Sequence, residues 1–393
     1  MRFGVYDKVT PVETTPSRIV SENVIRPDYV LGNTEYVPKI AEIKNDTQIN
    51  GMRESCKLAA SILNQLHTFI KPGITTDDID ALVHTLTIKA GAYPSPLHYK
   101  GFPKSVCTSV NNVAVHGIPD LRPLQDGDII NVDITVFFKQ NHGDCSKTFL
   151  VGNVDDKGQQ LVHITEECLD IGIKCCGPDV PFCHIGSAIH RHAKRNGLTV
   201  LPAFLGHGIG QYFHGPPEIY HSLNRYPGLM KSGMTFTIEP VLSHGSENTV
   251  ILEDGWTVVT EDGARTAQVE HTVLITDDGA EILTKERRNQ WDILTAPDIR
   301  YTNWTPPHPF VINFGPILHP ATPRNDSAGG NQRDLARAKN QKKQQEIQKK
   351  KTASEKTGMS LSERKHRDAE LMREKQRKKE EQEGQGARKQ AVH

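Results

Sequence analysis

No stretch of this 393-residue chain holds 18 consecutive apolar side chains, so the sequence offers no helix suited to spanning a bilayer. The N-terminus lacks the short apolar core of a secretory signal. Arg2, Lys8 and Arg18 are interspersed there with Asp7, Glu13 and Glu22, which also makes a poor transit peptide. None of the seven cysteines, Cys56, Cys107, Cys145, Cys168, Cys175, Cys176 and Cys183, forms a Cys-x-x-Cys pair, which argues against a zinc ribbon or finger. Their odd number and the adjacent Cys175-Cys176 fit a reducing compartment. The chain also lacks net charge, but only on average. Residues 331–393 carry 19 Lys and Arg against 10 Asp and Glu, and residues 1–330 carry 28 against 37. No single pI argument therefore covers both parts.

From Asn331 onward there is no Phe, Tyr or Trp, and Lys, Arg, Glu and Gln dominate. Such a segment cannot bury enough apolar area to offset the entropy of ordering it, so residues 329–393 are expected to be disordered or a marginal helix. Residues 291–328 are proline-laden and read as a linker. Residues 1–43 are rich in Pro, Thr and charge without periodicity and read as an extended lead-in. Between them, residues 44–290 are expected to form one folded domain. Ile49, Met52, Cys56, Ala59 and Leu63 recur at helical spacing, and Thr75-Thr76-Asp77-Asp78 is an N-cap ahead of Ile79, Leu82, Val83 and Leu86. Further helices are expected near 160–175 and 185–196. Strands are expected at 128–138, 145–151, 234–242, 257–259 and 268–275. Mixed helices and strands predict an α/β or α+β fold.

The polar residues that stand on these apolar strands carry the chemistry. In Ile129-Ile130-Asn131-Val132-Asp133-Ile134-Thr135-Val136 one face packs a core and the other holds a carboxylate. A turn signal over 139–143 leads into Asp144-Cys145-Ser146. A hairpin turning near Phe138–Lys139 would set Asp133 directly opposite Asp144, where like charges repel unless a cation or a proton intervenes. Gly206-His207-Gly208-Ile209-Gly210 puts a histidine among glycines that let the backbone approach a ligand. Glu239 and Glu270 lie on the polar side of apolar strands, a costly position unless paired. Each feature has a plainer reading: a solvated Asp, an incidental His in a glycine turn, a Glu at a strand edge. Together, four carboxylates and an imidazole suit two divalent ions with mixed oxygen and nitrogen ligation. Bridging carboxylates hold such ions roughly 3.5–4 Å apart, where they activate water for hydrolysis.

In order and spacing, Val115-His116-Gly117-Ile118-Pro119-Asp120, Asp133, His142-Gly143-Asp144, Gly206–Gly210, Phe236-Thr237-Ile238-Glu239-Pro240 and Gln268-Val269-Glu270-His271-Thr272 resemble the type I methionine aminopeptidases. The resemblance covers residues 41–285. The runs Gly101–Asn112 and Arg122–Asn131 look most like the mitochondrial or organellar branch. It implies the pita-bread fold with pseudo-two-fold symmetry, and release of N-terminal methionine from peptides and nascent proteins when the second residue is small. It implies Asp133, Asp144, His207, Glu239 and Glu270 as ligands of two divalent ions (cobalt, manganese, iron or zinc). It places His116 and His214 against substrate and the tetrahedral intermediate, and gives Glu239 a proton-relay role. Tyr99, Phe102, Cys107, Phe213 and Trp256 fall at the wall of the methionine pocket, although each also reads as an ordinary core residue. Val115 and Cys145 depart from the family's usual Cys and Thr. The resemblance further implies a monomer, possible contact with the ribosome, and a mitochondrial location, with the cytoplasm as the alternative. Residues 1–45 hold no Cys or His, unlike the zinc-binding segment of cytosolic type I enzymes.

Residues 330–382 resemble the small EDRK-rich factors, which points to a fusion or to two neighbouring genes joined after Leu283. Three competing functions stay open on the residues alone. One is an Xaa-Pro aminopeptidase or prolidase, although about 40 leading residues leave no room for the long N-terminal domain of those enzymes. Another is a non-enzymatic binding protein of the same fold, although all five ligand positions are filled. The last is a nucleic-acid-associated factor whose basic tail contacts RNA or acidic surfaces.

Overall fold

The computed structural model describes residues 3–285. The linker and tail expectations for 291–328 and 329–393 lie outside these residues. Four helices form where capping and spacing predict them: α1 (Asp46–Gln65), α2 (Thr76–Lys89), α3 (Asp156–Lys174) and α4 (Cys183–Arg195). Asn45 caps α1 by accepting the Gln48 N–H at 3.0 Å, while the Gln48 side chain accepts the Asn45 N–H. Thr75 and Asp78 repeat this reciprocal arrangement at α2. Each arrangement satisfies two N–H groups that the helix start leaves unpaired.

The main sheet is antiparallel. Its strand order is Tyr93–Pro94, Ile129–Phe138, Asn141–Leu150, Glu270–Ile275, Thr235–Ile238, Leu205–Gly208 and Gly215–Tyr220, with Cys107–Val110 and Ala280–Ile282 at its sides. Two apolar cores cover one face. Leu58 and Ile62 of α1 and Ile79 and Val83 of α2 pack on Ile130, Val132, Ile134 and Val136. Leu161, Leu169, Ile185 and Ile189 of α3 and α4 pack on Phe236, Ile238, Val273 and Ile275. A helix pair on each half-sheet is the repeated unit expected of the pita-bread fold. Burying each such side chain contributes roughly 1.5–3 kcal/mol, which secures the strands whose other face is polar.

Two expectations need correction. Asp133 and Asp144 are not directly opposed: Asp133 faces Ser146 and Asp144 faces Thr135. The turn is the two-residue Lys139-Gln140, at φ 47° and 63°, so Phe138 pairs with Asn141 and Asn141, His142 and Gly143 belong to the strand. A tight turn with two positive φ values sets that register. The carboxylates remain on one face as diagonal neighbours. The strands expected over 234–242 and 268–275 are each broken, at Glu239-Pro240 and at Val269.

Residues 3–43 hold one 3₁₀ turn, at Asp28–Val30, and are fastened to the elements that follow. Val9, Val20 and Val24 are buried. Arg18 pairs with Asp77 at 2.8 Å and Asp80 at 2.7 Å, and buried Lys104 meets Asp77 at 2.6 Å.

At Gly143 α1 lies directly on the sheet. A Cβ there would stand 2.4 Å from the Cys56 amide nitrogen and 2.7 Å from the Ser55 carbonyl oxygen. Backbone cannot yield as a side chain can, so Gly143→Ala is expected to destabilise the fold by about 1–3 kcal/mol. Urea unfolding followed by circular dichroism measures this, and an unchanged midpoint would contradict the packing.

Candidate metal centre

The site is assembled where the two half-sheets meet. Asp133 and Asp144 come from the long hairpin, His207 from Leu205–Gly208, Glu239 from the break after Thr235–Ile238, and Glu270 from the start of Glu270–Ile275. Ligand atoms of Asp144, His207 and Glu270 lie within 4.8 Å of one another. His207 Nε2 is 3.8 Å from Asp144 Oδ2 and 3.7 Å from Glu239 Oε1, which brings Glu239 into the group. Asp133 adjoins through its diagonal neighbour Asp144. Gly206 and Gly208 admit neighbouring backbone, not the ligand that the sequence suggested. A Cβ at 206 would lie 2.2 Å from the Thr237 carbonyl oxygen, and one at 208 would lie 1.9 Å from that of Pro216.

Hydrogen bonds orient Asp144, His207 and Glu239. Thr135 Oγ1 donates to Asp144 Oδ1 at 2.7 Å, and Thr272 Oγ1 donates to the Asp144 carbonyl at 2.7 Å. The Thr237 hydroxyl serves two residues: it accepts the His207 N–H at 2.9 Å and donates to Glu239 Oε1 at 2.8 Å. Gln268 Nε2 donates to Glu239 Oε2 at 3.3 Å. The break at Glu239-Pro240 takes the Glu239 N–H out of the ladder, and His221 Nε2 accepts it at 3.0 Å. His207 Nδ1 is 3.2 Å from the Gly208 carbonyl, so the proton belongs there and Nε2 offers its lone pair to the carboxylates. The sequence reading did not single out Thr135, Thr237, Gln268 or His221. A position two residues from an acid is the only signal it held for Thr135, Thr237 and Gln268, and for His221, beyond the end of Gly215–Tyr220, it held none.

Electrostatically the cluster is under tension. Burial raises Asp133 to about 7 and Glu239 to about 8. Burial, and then the neighbouring acids, hold Asp144 and Glu270 well above the ordinary carboxylate range. Burial lowers His207 to about 4, so its imidazole is neutral at pH 7 and free to ligate. Four acids that resist ionising together, beside a bare imidazole nitrogen, are the donor set a divalent cation would fit.

A cleft adjoins the cluster. His116 and His214 are solvent-exposed, and desolvation still lowers both pKa values, as expected of rings standing in a concavity. His116 takes a left-handed φ of 56°, a strained conformation for a non-glycine residue. The His214 ring lies 4.2 Å from that of His207, and Tyr99 OH is 3.0 Å from His214 Nδ1. Phe213 packs on Tyr99 at 4.8 Å and on His214 at 4.1 Å, while Trp256 meets Phe102 at 5.2 Å and His116 at 6.0 Å. Buried Cys107 pairs with Asp133 across the sheet. The residues expected to form the site and its pocket are thus brought to one region.

The family model described as metallopeptidase family M24 matches residues 50–277. Methionine aminopeptidase 1D, mitochondrial, of Danio rerio is 53% identical over 278 residues, 70% of this chain and 82% of that protein. The chain belongs to the methionine aminopeptidases of metallopeptidase family M24. The chloroplastic/mitochondrial methionine aminopeptidase 1D of Arabidopsis thaliana is 49% identical, over 72% of this chain and 81% of that protein. The crystal structure of methionine aminopeptidase from Rickettsia prowazekii superposes with a TM-score of 0.62 at 40% identity, covering 63% of this chain and all of that one. Membership of a metallopeptidase family implies a metal-dependent hydrolase with the fold described above. A second family model, small EDRK-rich factor 1/2-like, N-terminal, matches residues 328–366.

The raised carboxylates set a pH dependence for the metal-free protein. Their folded pKa values exceed the unfolded value of about 4, so the folded state binds protons that the unfolded state has released. Above about pH 7.5 the buried histidines are largely neutral in both states and no longer oppose this slope. Between about pH 7.5 and 8.5 the metal-free protein is therefore expected to lose stability as pH rises through the folded value of about 8. Urea midpoints across that range test it, and Glu239→Gln should flatten the slope. A midpoint that rises with pH would contradict the assignment.

Proposed function

We propose that residues 44–290 form a catalytic domain that removes N-terminal methionine from peptides and new proteins whose second residue is small. Asp133, Asp144, His207, Glu239 and Glu270 would hold two divalent ions, of cobalt, manganese, iron or zinc. The observation that carries this reading is the buried cluster of Asp144, His207 and Glu270, whose acids need a cation to ionise. Divalent ions bound there would acidify water and polarise the scissile carbonyl.

The remaining steps fall to the chain's own groups. Glu239, oriented by Thr237 and Gln268, would take a proton and pass it to the departing amine. Neutral His214, with Nδ1 3.0 Å from the Tyr99 hydroxyl, would donate its Nε2–H to charge that develops in the transition state. His116 offers a second N–H. Tyr99, Phe102, Cys107, Phe213 and Trp256 supply aromatic and sulfur contacts suited to a thioether. The similarity to mitochondrial and chloroplastic/mitochondrial methionine aminopeptidases supports a mitochondrial location.

The test is hydrolysis of Met-Ala-X and Met-Leu-X peptides by the purified chain with manganese, cobalt, ferrous or zinc salts. Methionine is expected from Met-Ala-X far faster than from Met-Leu-X, with activity abolished by chelator and restored by a divalent ion. Undiminished turnover by metal-free protein would refute the reading. Asp144→Asn is expected to keep the fold and lose more than the roughly 10–100-fold that removing an outer partner of a metal site costs. Wild-type turnover in that variant would remove Asp144 from the ligand set.

A further inference from the structure

The family match begins at residue 50, yet residues 28–35, ahead of it, end against the aromatic wall of the cleft. The Tyr29 ring meets Tyr99 edge-on at 5.0 Å and lies over His142 at 6.2 Å, and its hydroxyl donates to the Ser95 carbonyl at 2.6 Å. Six residues on, Glu35 Oε1 accepts the backbone N–H of Phe213 at 2.9 Å. Phe213 lies in the bend between Leu205–Gly208 and Gly215–Tyr220, outside the ladder, so its N–H has no strand partner. Its side chain is buried, and a carboxylate oxygen from a segment 178 residues away fills the gap.

The next residue is His214. It is exposed, so core packing does not fix its ring. Its neighbours do: the Phe213 ring at 4.1 Å and the Tyr99 ring at 5.1 Å, themselves 4.8 Å apart. The lead-in grips both neighbours, Phe213 through Glu35 and Tyr99 through Tyr29. A competing partner for Glu35 would be His142, whose buried Nε2 has no hydrogen-bond partner. That nitrogen is 4.0 Å from Glu35 Oε1, beyond hydrogen-bond reach, so the Phe213 amide is the contact the carboxylate makes.

We propose that Glu35 is a positioning residue for methionine release. By holding the Phe213 amide it sets the His214 ring, and with Tyr29 it makes the lead-in a built-in wall of the substrate cleft. The inference rests on the functional reading above, in which His214 faces the substrate. Because His214 acts on charge that appears only in the transition state, loosening it should affect kcat more than KM.

The experiment compares the full-length, manganese-loaded chain with E35Q and E35D on a Met-Ala-X peptide. Gln keeps an acceptor oxygen at the same reach, so E35Q is expected within about two-fold of wild type. Asp keeps the charge but falls one methylene short, so E35D is expected to lose about ten-fold in kcat with KM moved less than about three-fold. Manganese stoichiometry and the circular dichroism spectrum should be unchanged in both. Wild-type kcat in E35D, or an equal loss in E35Q, would overturn the role of Glu35. So would a loss of manganese or of folded signal in E35D, because the contact would then serve the fold and not the ring. No turnover by the wild-type chain would defeat the aminopeptidase reading itself. Wild-type turnover with an unaffected E35D would defeat only the role assigned to Glu35.

Discussion

Four carboxyl groups around one imidazole, Asp144 and Glu270 buried and Asp133 and Glu239 partly so, are the constraint on which the rest of the structure depends. Such a group of acids is unfavourable in a low-dielectric interior unless protons or cations neutralise it. The fold bears that cost through its apolar face. Ile130, Val132, Ile134 and Val136 are buried against α1 and α2, and the alternation that buries them turns Asn131, Asp133 and Thr135 the other way. One strand thus carries both the stabilising core and the strained centre. The second half-sheet repeats the pattern, with Phe236 and Ile238 packed in the core and Thr237 bonded to Glu239.

How the acids are held determines what they can do. Thr237 has a single hydroxyl proton, and that proton goes to Glu239, while the oxygen accepts the His207 amide. Two donors on different strands are therefore fixed relative to each other by one side chain. Cations entering such a centre must displace protons from carboxyls that hold them above the ordinary range, so metal loading is linked to proton release.

Much of this was legible in the sequence, and the reasons it was not complete are specific. The helix starts at Asn45 and Thr75 announce themselves through side chains whose capping role is local. Strand alternation correctly placed Asp133 and Asp144 on one face. Their register was missed because Lys139-Gln140 contains none of the glycine or asparagine that usually marks a two-residue turn with positive φ. The breaks at Glu239-Pro240 and Val269 were read through as continuous strand, since apolar runs do not reveal where a ladder bends. The orienting threonines and His221 were invisible for a different reason: a threonine in a strand is ordinary, and only its partner makes it more.

Glu35 is the extreme case. Nothing in its neighbourhood has periodicity, and its partner is a backbone amide far along the chain. A contact of that kind leaves no trace in composition or spacing, because any residue at 213 except proline would present the same N–H. The division of labour follows. Ligands must be acids or histidine, so the sequence names them. The elements that set their angles work through backbone groups and hydroxyls common to the whole chain, and only the folded structure shows which of them do so. A cleft whose exposed histidine is held by aromatic neighbours, and not by a core, depends most on these unannounced contacts.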